Sequence, residues 1–132
     1  ARCVIHTHAT HLVSLTLQGV WRDTDIVPPI TPYYVMKVGH VPLIAYQRPG
    51  APDVATQVTS RIVESTAAHT PIRAVMLERL GSVVWHTSPA EASAVLEELE
   101  ETAKLWLMSD RQARALTEAH IQELRETFGA LW

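Results

Sequence analysis

The stretch from Ser88 to Leu107 constrains this chain most. Ser88-Pro89-Ala90-Glu91 puts an N-cap serine, a proline at the first helical position and a glutamate at the capping-box position in one run. Ala92, Val95, Leu96, Leu99, Ala103, Trp106 and Leu107 follow at helical spacing and predict one long apolar stripe. Glu97, Glu98, Glu100, Glu101 and Lys104 fill most of the opposite face, which reads as solvated surface rather than a cation site. Just before this helix, Ala74-Val75-Met76-Leu77 and Val83-Val84-Trp85 read as paired strands around Gly81.

The rest of the chain alternates in the same way. Arg2 to His6 predicts a short buried strand. His8 to Leu17 predicts a helix with Leu12, Leu15 and Val13 inward, stopped at Gly19. Residues 22 to 34 carry Asp23, Asp25, Pro28, Pro29 and Pro32, and each proline removes a backbone donor, so a loop is expected. Gly39 to Tyr46 predicts a second strand, with Pro42 at an edge or a start. Val54, Val58 and Ile62 recur every four residues between Pro52 and Ala67, which is helical. Thr117 caps a last helix that buries Ile121, Leu124 and Phe128. The order predicts an α/β fold, a sheet with helices on both faces, and no internal repeat.

A chain of 132 residues is enough for one domain and hardly two. With 47% hydrophobic and 19% charged residues it reads as globular. A net charge of −3 and scattered basic residues argue against nucleic acid or an anionic membrane as partner. Cys3 is the only cysteine, which rules out an internal disulfide and fits a reducing, cytoplasmic compartment. In its apolar run it reads as a small buried hydrophobe. No apolar run approaches the ~20 residues of a membrane-spanning helix. The chain starts without Met and its first strand begins almost at once. Residues 1–132 are therefore expected to be the C-terminal part of a longer domain, lacking its N-terminal portion.

The chemistry-bearing residues cluster in His6-Thr7-His8-Ala9-Thr10-His11, directly after Cys3-Val4-Ile5. Residues two apart on a strand point to one face, so His6 and His8 are candidates for a shared divalent metal. The competing reading is two histidines hydrogen-bonded to backbone. His11 reads as a pocket residue rather than a third ligand. For His40 and His69, solvated or hydrogen-bonded histidine is the default. His86 lies at the far end of a strand from position 80.

Val4-Ile5-His6-Thr7-His8-Ala9-Thr10-His11, Pro28 to Gly39, Leu43 to Gly50 and Glu97 to Leu105, in that order and spacing, resemble the class II aldolase/adducin family. Within it the chain most resembles the 3-oxo-tetronate 4-phosphate decarboxylase branch, through the His11-containing run and Thr31-Pro32-Tyr33-Tyr34-Val35-Met36. The resemblance implies a three-layer α/β/α domain with a central, largely antiparallel sheet, assembled as a homo-oligomer, commonly a tetramer. It implies a divalent metal, usually Zn2+, on three histidines, two of which carry over to His6 and His8. The third normally stands in an Asn-His-Gly segment, which here reads Arg79-Leu80-Gly81, so Leu80 occupies that position. Tyr33 matches a mobile-segment tyrosine that donates a proton or contacts substrate, with Tyr34 the adjacent alternative. Packing of a proline-rich loop is the competing role for both. His11 and Tyr34 are carried as substrate-binding candidates.

The implied substrate is a sugar acid phosphate, converted to dihydroxyacetone phosphate and carbon dioxide. The departing carbon dioxide leaves an electron pair that a chelated metal stabilises as an enediolate, after which a tyrosine or carboxylate protonates the carbon. An aldolase of the fuculose-phosphate type uses the same intermediate and stands as an alternative. A second alternative, set by Leu80, is an inactive member with a structural or assembly role.

Overall fold

The computed structural model describes residues 1–132. In chain order it contains β1 (Cys3–Thr7), α1 (Thr10–Thr16), a wide π-type turn (Tyr34–Val38), β2 (Leu43–Ile44), α2 (Asp53–Ala67), β3 (Ala74–Leu77), β4 (Gly81–His86), α3 (Pro89–Met108) and α4 (Glu118–Phe128). The four strands form one mixed sheet in the order β1-β4-β3-β2. β1 and β3 both run antiparallel to β4, and β2 runs parallel to β3.

The long helix forms as its sequence predicts. The Ser88 hydroxyl accepts the Glu91 N–H at 3.2 Å. The Glu91 carboxylate does not turn back to the Ser88 backbone; it accepts from the Ser88 and Thr87 hydroxyls. The apolar stripe buries Ala92, Val95, Leu99, Ala103 and Trp106, and joins Leu12 and Leu15 of α1 with Ala74, Met76 and Val84 of the sheet in the main core.

The opposite face of the sheet is thinner. Val54 and Val58 of α2 are half-buried against a second cluster of Ile44, Ile72 and Val75. α2 has no fully buried residue, and Ile62, expected inward, is 38% exposed. Val4, on the strand next to Trp85, is 65% exposed. The architecture is the expected α/β one, with helices on both faces of a largely antiparallel sheet, but the α2 layer covers only part of its face.

Three local expectations shift. Only Leu43–Ile44 of the predicted Gly39–Tyr46 strand joins the sheet, because the Val41 N–H is taken by the Asp25 carboxylate and Pro42 has no N–H to give. α1 starts at Thr10, two residues later than expected. Ala9 offers no capping side chain, and the carboxylate of Glu100 on α3 accepts the His11 and Leu12 N–H groups instead, at 3.2 and 2.9 Å. Glu100 is thus the member of the acidic run that is structural rather than solvated. Thr117 caps α4, in a reciprocal pair with His120. Ile121 is buried beneath α4, but Phe128 is 64% exposed, since α4 rests on the core by only one face of its first turns.

Candidate functional site

Because α1 starts only at Thr10, His8 and Ala9 stay outside the helix, and both histidines lie beside the N-terminal end of β4. His6 pairs with Val83, and its Nδ1 lies 2.8 Å from the Ser82 carbonyl oxygen. A ring that donates from Nδ1 to a backbone carbonyl is fixed in orientation, with Nε2 left free. The His6 and His8 ring centroids are 5.1 Å apart, edge to face. Two imidazoles on one tetrahedral zinc, with Zn–N near 2.0 Å, would place their centroids about 5 Å apart.

The β3–β4 turn closes over this pair. Gly81 has φ +144°, and a Cβ there would lie 1.8 Å from the Thr7 carbonyl oxygen and 3.2 Å from the His8 Cα. Only glycine permits so close a backbone approach. Position 80 is therefore held next to the histidines. His8 and Leu80 line one cleft of about 590 Å³, together with Thr10, Ser14 and Arg79.

No three His, Cys, Asp or Glu side chains converge anywhere in the chain. A catalytic zinc takes three protein ligands and keeps one position open. The donor set here is two imidazoles beside a leucine, one ligand short of such a centre. His86 does not make good the loss: it pairs with Cys3 at the other end of β4, with Nδ1 3.1 Å from the Glu91 carboxylate. His69 is an exposed left-handed residue with φ 60° that follows α2.

The remaining candidates lie elsewhere. His11 is half-buried and tied by Nδ1 to Glu100 at 3.0 Å, the same carboxylate that caps α1. Tyr33 is 56% exposed at the entry to the π-type turn. Lys37 sits over its ring at 5.5 Å, and the Arg73 guanidinium donates to the Lys37 carbonyl at 2.6 Å, fastening this turn to the start of β3. Tyr33 thus belongs to the end of the sheet where β4 finishes. The histidine pair belongs to the end where β4 starts, roughly 15 Å away at strand rise.

Tyr34 is fully buried. Its hydroxyl donates to Asp25 at 2.6 Å, and the other carboxylate oxygen of Asp25 meets His40 Nδ1 at 2.8 Å. The Trp132 ring lies over His40, with centroids 3.6 Å apart. Burial raises the Asp25 carboxyl above its usual range, and the hydrogen bonds from His40 and Tyr34 oppose that rise. Burial, then the charge of Asp25, pushes the Tyr34 phenol well above its usual value.

Composition and spacing assign no positioning role to Asp25, Thr16, Glu100 or Arg79. Asp25 had a signal: it opens the buried run Ile26-Val27-Pro28-Pro29, where an acid needs partners. The others became legible only when distant segments were brought together.

The chain belongs to the class II aldolase and adducin family: the sequence model described as Class II Aldolase and Adducin N-terminal domain matches residues 1–107. The whole chain is 53% identical to the 3-oxo-tetronate 4-phosphate decarboxylase of Cupriavidus necator over 137 aligned positions, covering 60% of that protein. It is 39% identical to the protein of the same name in Escherichia coli K12, over 94% of this chain and 56% of that one. It therefore spans a little over half the length of these relatives. Among solved structures, YgbL from Escherichia coli superposes with a TM-score of 0.75 at 40% identity, over 94% of this chain and 58% of that one. An L-fuculose 1-phosphate aldolase superposes with a TM-score of 0.69 at 21% identity, over 96% of this chain and 55% of that one, a likeness of fold alone.

Proposed function

We propose that this chain carries part of the active site of a cytoplasmic lyase that decarboxylates 3-oxo-tetronate 4-phosphate. The observation that carries the reading is the 53% identity to a decarboxylase of that name along the full chain. The oriented pair His6 and His8 supports it. An aldolase of the fuculose-phosphate type would share the intermediate, but its likeness extends to the fold only.

The reaction breaks the bond between the carboxyl carbon and C2. The electron pair moves into the C3 ketone as an enediolate, and a proton delivered to C2 gives dihydroxyacetone phosphate beside carbon dioxide. In the family a divalent metal serves as the electron sink. Here the two imidazoles fall one ligand short, so no step is assigned to a metal on this chain. Tyr33 is the candidate proton donor, its exposed phenol free of hydrogen-bond constraint from a neighbouring acid. Because it sits at the opposite end of the sheet from His6 and His8, it would serve the site of another copy. The reading therefore requires a homo-oligomer, with a tetramer expected. His11, bound to Glu100, acts by holding the start of α1 beside the cleft rather than by touching substrate.

The second reading, an inactive family member kept for assembly, is favoured by one observation: Leu80 stands in the cleft beside His8. Two measurements separate them. Metal analysis of the dialysed 132-residue chain should find zinc well below one per chain, and Leu80→His should raise zinc affinity by about tenfold or more. Stoichiometric zinc in the unaltered chain would sink the two-ligand account. A chimera with the upstream segment of the Cupriavidus relative is then assayed for dihydroxyacetone phosphate. Turnover with Leu80 in place excludes the inactive reading. Turnover only with Leu80→His supports it for this chain while keeping the family chemistry. No turnover in either chimera overturns the decarboxylase reading.

A further inference from the structure

Asp25 is the only acidic side chain that the fold buries. Taking an acid out of water is costly, and replacing a buried charged network with well-packed apolar residues is often neutral or stabilising. The partners of Asp25 show what it fastens instead. One carboxylate oxygen accepts the Tyr34 hydroxyl at 2.6 Å and the Val41 N–H at 3.3 Å, and the other meets His40 Nδ1 at 2.8 Å. Tyr34 begins the π-type turn Tyr34–Val38, whereas His40 and Val41 follow it directly after Gly39. A single carboxylate therefore ties both ends of one five-residue turn.

The turn has a geometry that is rare and is found frequently at functional sites. Its closing bond runs from the Gly39 N–H to the Tyr34 carbonyl at 2.9 Å. Trp132 completes the network from outside: its ring covers His40 and meets the Tyr34 ring edge-on, with centroids 5.7 Å apart. The Arg125 guanidinium in turn holds the Trp132 carbonyl by two bonds, of 3.0 and 2.8 Å. Tyr33 directly precedes the turn and shares its helical backbone, with φ −68° and ψ −36°. Side chains of successive helical residues leave the axis about 100° apart. A Tyr34 ring pinned in the core thus fixes the direction in which Tyr33 enters solvent. The Tyr33 phenol makes no hydrogen bond of its own and has Lys37 over its ring, so its aim depends on the backbone that carries it.

We propose that Asp25 is a positioning residue for proton delivery: by tying Tyr34 to His40 and Val41 it holds the turn that aims Tyr33. The inference rests on the reading of Tyr33 as the proton donor of a decarboxylase. The proton moves from the Tyr33 hydroxyl to C2 of the enediolate, and solvent returns a proton to the exposed phenolate. A reacting group misplaced by about 1 Å can cost about a hundredfold in rate. An exposed side chain on a surface turn keeps that tolerance through what fixes its backbone. The buried acid supplies the fixing, one residue away from the donor and out of reach of substrate.

The test is a double-mutant cycle of Asp25→Ala with Tyr33→Phe in the chimera that turns over, read as kcat and KM for release of dihydroxyacetone phosphate. With Tyr33 intact, Asp25→Ala should lower kcat by about 10- to 100-fold and change KM by less than about threefold. In the Tyr33→Phe background the same change should lower kcat by less than about threefold. Asp25→Asn keeps an oxygen for Tyr34 and Val41 and should restore most of the loss. Equal losses in both backgrounds, as a merely structural role would give, overturn the proposal, and so does a rise in KM alone. A second measurement needs no turnover. The 132-residue chain is labelled with 3-fluorotyrosine, and its three tyrosine signals are assigned by replacing each tyrosine in turn. Asp25→Ala, or Tyr34→Phe where Asp25→Ala does not fold, should shift or broaden the Tyr33 fluorine signal and leave that of Tyr46 in place. An unmoved Tyr33 signal in a folded variant overturns the proposal. With no turnover in any chimera, a moved Tyr33 signal upholds the tie, and the failure falls on the decarboxylase reading alone.

Discussion

Two histidine-bearing regions of the molecule differ in how completely their polar atoms are used. His40 lies in a buried network: Asp25 is 3% exposed, Tyr34 is 0% exposed, and both carboxylate oxygens of Asp25 have side-chain partners. Trp132 covers the ring from one side. His6 and His8 are exposed, and His6 has one nitrogen anchored on the Ser82 carbonyl and the other free. The first arrangement is what a buried acid needs in order to be tolerated at all. The second spends a hydrogen bond on orientation and leaves the lone pair of Nε2 without a protein partner, which is how a fold presents an atom for chemistry. Completeness of partners, rather than residue type, separates the two.

That contrast predicts where each region is fragile. The histidine end depends on backbone contact more than on side chains. Gly81→Ala should be the most damaging change in the molecule, because the new Cβ would meet the Thr7 carbonyl at 1.8 Å in a conformation L-residues avoid. A loss of about 4 kcal/mol or more is expected, a large part of the stability of a domain this size. Far-ultraviolet circular dichroism against urea would measure it, and a loss below about 1 kcal/mol would show that the β3–β4 turn is not pinned to β1.

The buried network comes next. Tyr34→Phe removes a donor from a buried carboxylate without changing the ring, and should cost about 2 kcal/mol. The same network gives stability a pH dependence of known sign. The phenol of Tyr34 holds its proton in the folded protein well above the usual value near 10. Above about pH 10 the unfolded chain therefore binds fewer protons than the folded one, and stability falls as pH rises. Asp25 acts in the same direction at the acid end: its raised carboxyl makes stability greatest below the usual carboxylate range and lower as pH climbs through the window above it. Urea midpoints at pH 9 and pH 11 should differ in the unaltered chain and differ less in Tyr34→Phe. Equal slopes would place the alkaline sensitivity elsewhere.

The sequence carried those features that depend on neighbours in the chain. Periodicity and the Ser88 cap were enough for α3, and the Leu12/Leu15 pair was enough for the inward face of α1. The His6–His8 juxtaposition follows from strand geometry alone. What it did not carry are contacts between distant segments. Glu100 reads as one more solvated acid until α3 is laid against α1, where its carboxylate replaces the cap that Ala9 lacks. Thr16 and Arg79 are 63 residues apart, and their hydrogen bond exists only once the β3–β4 turn reaches α1. Tyr33 and Tyr34 are adjacent and chemically identical, so residue type alone does not separate their environments; the π-type turn sends Tyr34 into the core and leaves Tyr33 at the surface. Phe128 misled because a helical apolar position predicts a facing partner, and α4 has none at that end.

The smallest effect on stability should come from the two histidines proposed as metal ligands. His8→Ala removes an exposed ring whose backbone stays held by the contact between Gly81 and Thr7, so unfolding should change by no more than about 0.5 kcal/mol. His6→Ala should cost slightly more, since it gives up the bond to the Ser82 carbonyl. Either variant, placed on the Leu80→His background, should abolish the gain in zinc affinity expected of that change, because a two-ligand set is restored. The pairing of a near-silent stability effect with a lost metal response is what a ligand role requires and a structural role does not. A His8→Ala variant as damaged as Tyr34→Phe would mean that the exposed pair is part of the fold after all, and that the difference between the two histidine regions is one of degree.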